Sequence, residues 1–228
     1  DAGNNRLDGS IGSDVLTGGD GSDTYTVDNI GDVVTETNAV DSSGGSDTVL
    51  SFLAAYTLGS NIENGRILST TAANLTGNSG NNVLYGGAGN NVLNGGSGTD
   101  TVSYAYGLAG TTGVTVNLAA STAQATGGSG SDTLTSIENL IGSAYADRLT
   151  GNADANSLAG GAGNDLLSGG LGNEILGGGL GNDVLTGGAG SDIIRFDTLF
   201  NATSNRDTIS DFNVTDDTIQ LENAIFTS

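Results

Sequence analysis

The residues able to do chemistry in this chain are carboxylates, and they recur every nine positions. From Gly142 the sequence falls into the consecutive blocks GSAYADRLT, GNADANSLA, GGAGNDLLS, GGLGNEILG, GGLGNDVLT and GGAGSDIIR, ending at Arg195. The same register holds in GNSGNNVLY, GGAGNNVLN and GGSGTDTVS (77–103), in GSIGSDVLT and GGDGSDTYT (9–26), and in GGSGSDTLT (127–135). The consensus is G-G-x-G-x-D-x-U-x, where U is a large aliphatic residue. Glycines at the first, second and fourth places suit a turn that needs positive φ or close backbone approach. The short carboxylate at the sixth place can point back into that turn. If turns stack, like charges meet at the same height, and a divalent cation between turns would offset the repulsion. Oxygen ligands in flexible loops favour calcium over zinc or copper, and magnesium tolerates irregular geometry poorly.

Composition closes off other chemistries. The 228 residues include 40 Gly and no Pro, Cys, Met, Trp or His. Without His or Cys there is no Ser–His–Asp or Cys–His catalysis, no thiolate zinc site and no disulfide framework. Carboxylate-only glycoside hydrolysis stays chemically open, but nearly every repeat acid has a better use in a metal site. The expectation is therefore no catalytic residue, no organic cofactor and no enzyme activity of the chain's own. With 26 acidic against 5 basic residues, the net charge of −21 argues against nucleic acid or an anionic membrane as partner. No run approaches the roughly 18 apolar residues of a membrane span. The start, Asp1-Ala2-Gly3-Asn4-Asn5, lacks the basic and apolar regions of a signal peptide. It reads as the middle of a running pattern and predicts a fragment or processed piece of something longer.

Acidic, Gly-rich chains are often disordered, and the fixed spacing of the acids argues against that here. The last three residues of each block are too short for an independent strand, but they can pair with copies above and below. With a period of two, the eighth place faces inward: Leu149, Leu158, Leu167, Leu176, Leu185 and Ile194. Two blocks make one coil, with turns on both sides and strands on both faces. The fold expected is all-β, a parallel β-roll or β-solenoid over 1–195, followed by a capping segment, 196–228. The stretches 27–76 and 104–126 read as wider or modified coils, with a short insertion at 136–141. They echo each other, SDTV leading to NIEN (61–64) and SDTL to SIEN (136–139). SFLAAYTL (51–58) is a candidate helical turn. Ile209, Phe212, Ile219, Leu221, Ile225 and Phe226 are available to cover the open end of a solenoid.

The blocks closely resemble the hemolysin-type, or RTX, calcium-binding repeat. The likeness is strongest over 77–103 and 127–195, good over 9–26 and looser elsewhere. It implies a right-handed β-roll in which each calcium sits between two loops stacked on one side. Carried over block by block, it implies metal ligands at Asp14, Asp23, Asp100, Asp132, Asp147, Asp165, Asp183 and Asp192, with Glu174 in the same place. Asn82, Asn91 and Asn156 depart from the pattern: they keep an oxygen but no charge, and imply weaker sites. Same-side pairs are then Asp147 with Asp165, Asp165 with Asp183, Asn156 with Glu174, Glu174 with Asp192, and Asn82 with Asp100; Asn5 with Asp23 adds a sixth. On the order of six or more calcium ions are expected. Asp197, Asp207, Asp211 and Asp217 either complete the last sites or solvate the surface.

The resemblance also implies a secreted, extracellular or cell-surface protein, exported by type I secretion machinery whose signal lies at the extreme C-terminus, here ending Ala224-Ile225-Phe226-Thr227-Ser228. It implies a non-catalytic structural or secretion-coupled module that folds on binding calcium outside the cell. The alternatives are a self-assembling surface-layer, adhesin or filament subunit, and the non-catalytic part of a secreted enzyme. Tyr85, Tyr104, Tyr106 and Tyr145 could line a sugar-binding surface, although coil-end positions explain them more simply. An ice-binding array needs a Thr or Asn ladder. The outward seventh places, Arg148, Ser157, Leu166, Ile175, Val184 and Ile193, form none. They turn apolar toward the C-terminus and are expected to be covered by the cap or by a neighbouring molecule.

Overall fold

The computed structural model describes residues 2–37 and 45–222, and no helix occurs among them. Short strands alternate with glycine turns, and almost every strand pairs in parallel with the strand one full coil away. Parallel neighbours need a crossover connection, and here the second block of each coil supplies it on the opposite face. The chain forms two compact units, one comprising residues up to Val102 with Ser129–Ile137, the other Ser103–Gly128 with Glu138 onward.

In the first unit one face stacks Arg6–Asp8, Thr24–Val27, Thr48–Ser51, Asn64–Ile67 and Val83–Tyr85 in that order. The opposite face pairs Val15–Thr17 with Val33–Thr35, and separately stacks Ala55–Thr57, Asn74–Thr76, Val92–Asn94 and Gly130–Thr135. Leu93 lies level with both Leu75 and Leu134, so the lone block 127–135 rejoins the register of the blocks before it. In the second unit one face stacks Asn139–Ile141, Ser157–Ala162, Ile175–Leu180, Ile193–Phe196 and Thr218–Leu221. The other stacks Thr115–Asn117, Arg148–Thr150, Leu166–Leu171, Val184–Ala189 and Thr208–Ile209.

The core is the eighth-place ladder. Leu149, Leu158, Leu167, Leu176, Leu185 and Ile194 are at most 1% exposed, each worth about 1.5–3 kcal/mol of burial. In the first unit Leu75, Leu84, Leu93 and Tyr25 are equally buried. Four strands of the second unit run six residues where three are expected. Leu166–Leu171 runs six residues, through the glycines into the next block, because Gly170 pairs with Gly188 and no side chain separates the coils.

Strands within both inserts join the ladders of the clean blocks. Asp23 and Asp47 stand level although 24 residues apart, and Asp47 and Glu63 although 16 apart. In the echo of NIEN and SIEN, Asn61 and Ser136 both take left-handed φ, 60° and 52°, and the Ile after each is buried. The helical turn expected in SFLAAYTL is instead the strand Ala55–Thr57, whose ladder with Asn74–Thr76 outweighs local preference. Among the described residues, the segment after Phe196 continues the coils. Thr208–Ile209 and Thr218–Leu221 extend both ladders, leaving Ile219 and Leu221 about half exposed. Ile225, Phe226 and the C-terminal end where a secretion signal is expected lie outside the described residues. Leu166, Ile175 and Ile193 are half-buried, and their cover comes from the ladder itself: Leu166 stands level with Val184, and Ile175 with Ile193.

Candidate metal centre

One bond recurs between successive coils at the sixth place. The amide of Asp147 donates to Oδ1 of Asp165 at 2.7 Å, that of Asp165 to Asp183 at 2.8 Å, and that of Asp183 to Asp207 at 3.0 Å. On the other side Glu174 donates to Asp192 at 2.9 Å and Asp192 to Asp217 at 3.1 Å. In the first unit Asn5 donates to Asp23, Asp23 to Asp47, Asn82 to Asp100 and Asn91 to Asp132, all within 2.8 Å. Each accepting carboxylate therefore lies between its own turn and the turn one coil earlier; Glu174 accepts no such bond.

Asp32, Asp47, Glu63, Asp207 and Asp217 occupy the same rungs without belonging to a clean nonapeptide. Three of them carry a readable signal, Asp followed by Thr and an aliphatic residue, in SDTV (46–49), RDTI (206–209) and DDTI (216–219). Asp211 accepts from the amides of Gly187 and Gly188, whereas Asp197 is exposed.

The second carboxylate oxygen is the anomaly. Oδ2 of Asp14, Asp23, Asp165, Asp183 and Asp192, and both carboxylate oxygens of Glu174, are buried and accept no hydrogen bond. Asp23, Asp165, Glu174, Asp183 and Asp192 are at most 1% exposed. An unpaired buried carboxylate is heavily penalised, and the penalty is visible in proton affinity. Burial first, then the charges of Asp147, Asp183 and Asp207, push Asp165 up to about 7. Burial and Asp207 push Asp183 up to about 6. Glu174 is raised by burial and by Asp192 beside it, a pair that needs a shared proton or a cation.

The glycines leave room for that cation. A Cβ on Gly160 would collide with Asp165 Oδ2 and with the carbonyl of Gly178, one coil on. Gly142 faces Asp147 and the Gly160 carbonyl in the same way, and Gly169 faces Glu174 and the Gly187 carbonyl. Each cradle thus joins a side-chain oxygen and a backbone carbonyl from successive turns. Gly161 and Gly163, at φ 105° and 135°, bend the chain around it.

Some rungs satisfy themselves. Asn82, Asn91 and Asn156 donate Nδ2 to carbonyls of the preceding coil: Ile62 at 2.9 Å, Ala73 at 3.1 Å and Glu138 at 2.8 Å. Oδ1 of Asn82 and of Asn156 accepts an amide of its own turn, from Asn78 and Asn152, whereas Oδ1 of Asn91 is buried and accepts none. Asp147 is surrounded by donors from Ser143 and Val114. Asp32, which burial would raise, is instead lowered by the amides of Asn29, Asp14 and Asp28. At the fifth place a second ladder runs the opposite way: the amide of Asn182 donates to Asn164 Oδ1 and that of Ser191 to Asn173 Oδ1, both at 2.8 Å. It falls on a position written only as x in the consensus.

A family model of the RTX calcium-binding nonapeptide repeat matches four stretches, 1–29, 71–102, 141–176 and 168–198, which together cover just over half of the chain. The chain belongs to the RTX family. No curated protein matches it at a significant level. As an RTX β-roll it is a calcium-binding fold, and the orphaned oxygens fit that ion. They are hard, charged, buried and paired with carbonyls of the neighbouring turn. Asp165, Glu174, Asp183 and Asp192 of the second unit and Asp14 and Asp23 of the first would hold calcium there. No helix among the described residues is long and apolar enough to cross a membrane.

Proposed function

We propose that this RTX chain is a calcium-folded, non-catalytic module of a secreted or cell-surface protein. The observation that carries the reading is the set of buried, unpartnered carboxylate oxygens repeated at the sixth place. In the metal-free chain these oxygens oppose stacking, because each coil brings another acid to the height of the last. Bound calcium supplies positive charge between turns, and successive coils then close on their amide and leucine ladders. In a compartment poor in calcium, the −21 charge keeps the chain open; outside the cell millimolar calcium folds it. Family membership supports export by type I secretion, a route that suits a chain that must stay unfolded until it is out. Far-UV circular dichroism through a calcium titration, with magnesium as control, tests the reading. A cooperative gain of β signal with calcium alone supports it, and a chain already folded in chelator defeats it.

A second reading, self-assembly into an extracellular layer or filament, draws support from apolar tips on the turns. Ile11 and Ile30 are more than nine-tenths exposed, and Leu171 and Leu180 more than half. Dynamic light scattering with and without calcium separates a monomeric module from an assembling one.

A further inference from the structure

We propose that Asp23, Glu36 and Asp47 form a three-carboxylate cation site, in which an acid from an insert joins the Asp23 rung and gives it a charge that the other repeat cradles lack. One ligand oxygen of each residue lies within 4.8 Å of the others. The three are 1%, 7% and 1% exposed. Asp23 and Asp47 are successive rungs of one stack, the amide of Asp23 donating to Asp47 Oδ1 at 2.7 Å. Glu36 belongs to no nonapeptide. It follows the strand Val33–Thr35 and reaches the stack from the modified coil, its carbonyl held by Asn61 Nδ2 at 3.3 Å.

Hydrogen bonds do not exhaust these oxygens. Asp23 Oδ1 accepts the Asn5 amide, but Oδ2 is buried and accepts nothing. Glu36 Oε1 takes the Thr37 amide at 2.8 Å, and Oε2 takes the Tyr25 hydroxyl at 2.5 Å. Among the described residues, the groups donating to the cluster are neutral amides and one phenol. A side chain at Gly18 would strike both Asp23 Oδ2 and the Tyr25 hydroxyl, so a glycine keeps the space in front of the orphaned oxygen open. Three carboxylates enclosed among neutral donors call for a hard cation of charge two or more. Among calcium sites, affinity rises with the number of charged ligands, so this site fills at lower calcium than the two-turn cradles. The inference goes beyond the repeat reading, because Glu36 has no counterpart in the repeat.

The test uses the full chain, with calcium and terbium as probes. Glu36→Gln keeps the shape and removes one charge. Equilibrium dialysis should show the tightest bound calcium weakened by about tenfold or lost, with the other ions and the calcium-driven β signal kept. Tyr25→Phe keeps all three carboxylates and removes the phenol beside them. Terbium emission excited through tyrosine should drop clearly in this variant. Unchanged calcium binding in Glu36→Gln overturns the proposal and leaves the acids sharing protons instead. If Glu36→Gln does not fold, Tyr25→Phe decides alone, and unchanged sensitised emission overturns the site. Failure of the wild-type chain to fold on calcium would count against the repeat reading, and is seen separately from either variant.

Discussion

The amide of Asp165 donates to Oδ1 of Asp183, 18 residues later, at 2.8 Å. One residue earlier the direction reverses, the amide of Asn182 donating back to Asn164 Oδ1. Successive coils are clasped in both directions, but only the sixth-place bond carries charge. Asp183→Asn should therefore act with opposite sign in two states. It keeps an acceptor for Asp165 while removing a charge beside Asp165 and Asp207, so the metal-free chain gains stability. With calcium it loses a charged ligand, so the saturated chain loses about 1–3 kcal/mol. Thermal unfolding in chelator and in calcium checks both signs; equal shifts in one direction would refute a charged ligand at this rung.

The same acids set the pH response. Asp165 and Asp183 are raised from 3.8 to about 7 and about 6, and Asp47 to about 6, burial being the first cause in each. A carboxyl with a raised folded value binds more protons folded than unfolded, so folding is favoured at low pH. The penalty is absent below about 4, grows as pH rises, and is complete above about 7. In chelator, acidification from pH 8 to 5 should increase the β signal. In calcium the proton competes with the ion, and the titration midpoint should move to higher calcium as pH falls. A metal-free signal independent of pH over this window would show that the stacked acids do not oppose folding.

Two glycines of neighbouring coils should respond differently to alanine. A Cβ on Gly160 meets Asp165 Oδ2 and the Gly178 carbonyl, whereas the nearest atom to one on Gly177 is the Arg195 carbonyl at 3.8 Å. Gly160→Ala should abolish one calcium site and raise the calcium needed for folding. Gly177→Ala should be neutral or stabilise by about 0.4–1 kcal/mol, by restricting the unfolded chain. Calcium stoichiometry and thermal unfolding of the two variants make the comparison. Equal losses would mean that the Gly160 position is ordinary strand backbone rather than the wall of a cradle.

The spacing of nine made the leucine ladder and the Asp165–Asp183 step readable, because both depend only on counting. Counting fails where an insert changes the length of a coil. Asp47 stands on the rung after Asp23 although 24 residues separate them, and Asn91 meets Asp132 across 41. The Asp-Thr-aliphatic signature survives those changes and marks Asp47, Asp207 and Asp217. Nothing local marks Glu36, an acid after a short strand that becomes part of a cluster only when the modified coil is folded. The role of Asn156 was equally hidden. Its amide nitrogen donates to the preceding coil, and that appears only once the Glu138 carbonyl is in place.

Asn156 provides the sharpest exchange of proton donor for cation. Its Nδ2 donates to the Glu138 carbonyl at 2.8 Å while Oδ1 accepts the Asn152 amide at 2.8 Å. Asn156→Asp removes the donor and sets a carboxylate oxygen against that carbonyl, two acceptors with nothing between them. The space beside it already holds the Gly169 carbonyl, the oxygen a Cβ on Gly151 would meet. In chelator the variant should lose about 1–3 kcal/mol. In calcium the new carboxylate should join the carbonyls as a ligand, restore the stability and add one bound ion per chain. Unfolding in both conditions, with the ion count by equilibrium dialysis, gives the answer. Loss of stability that calcium does not restore would mean that this rung is too tight for a cation and that Asn is there for its hydrogen bond alone.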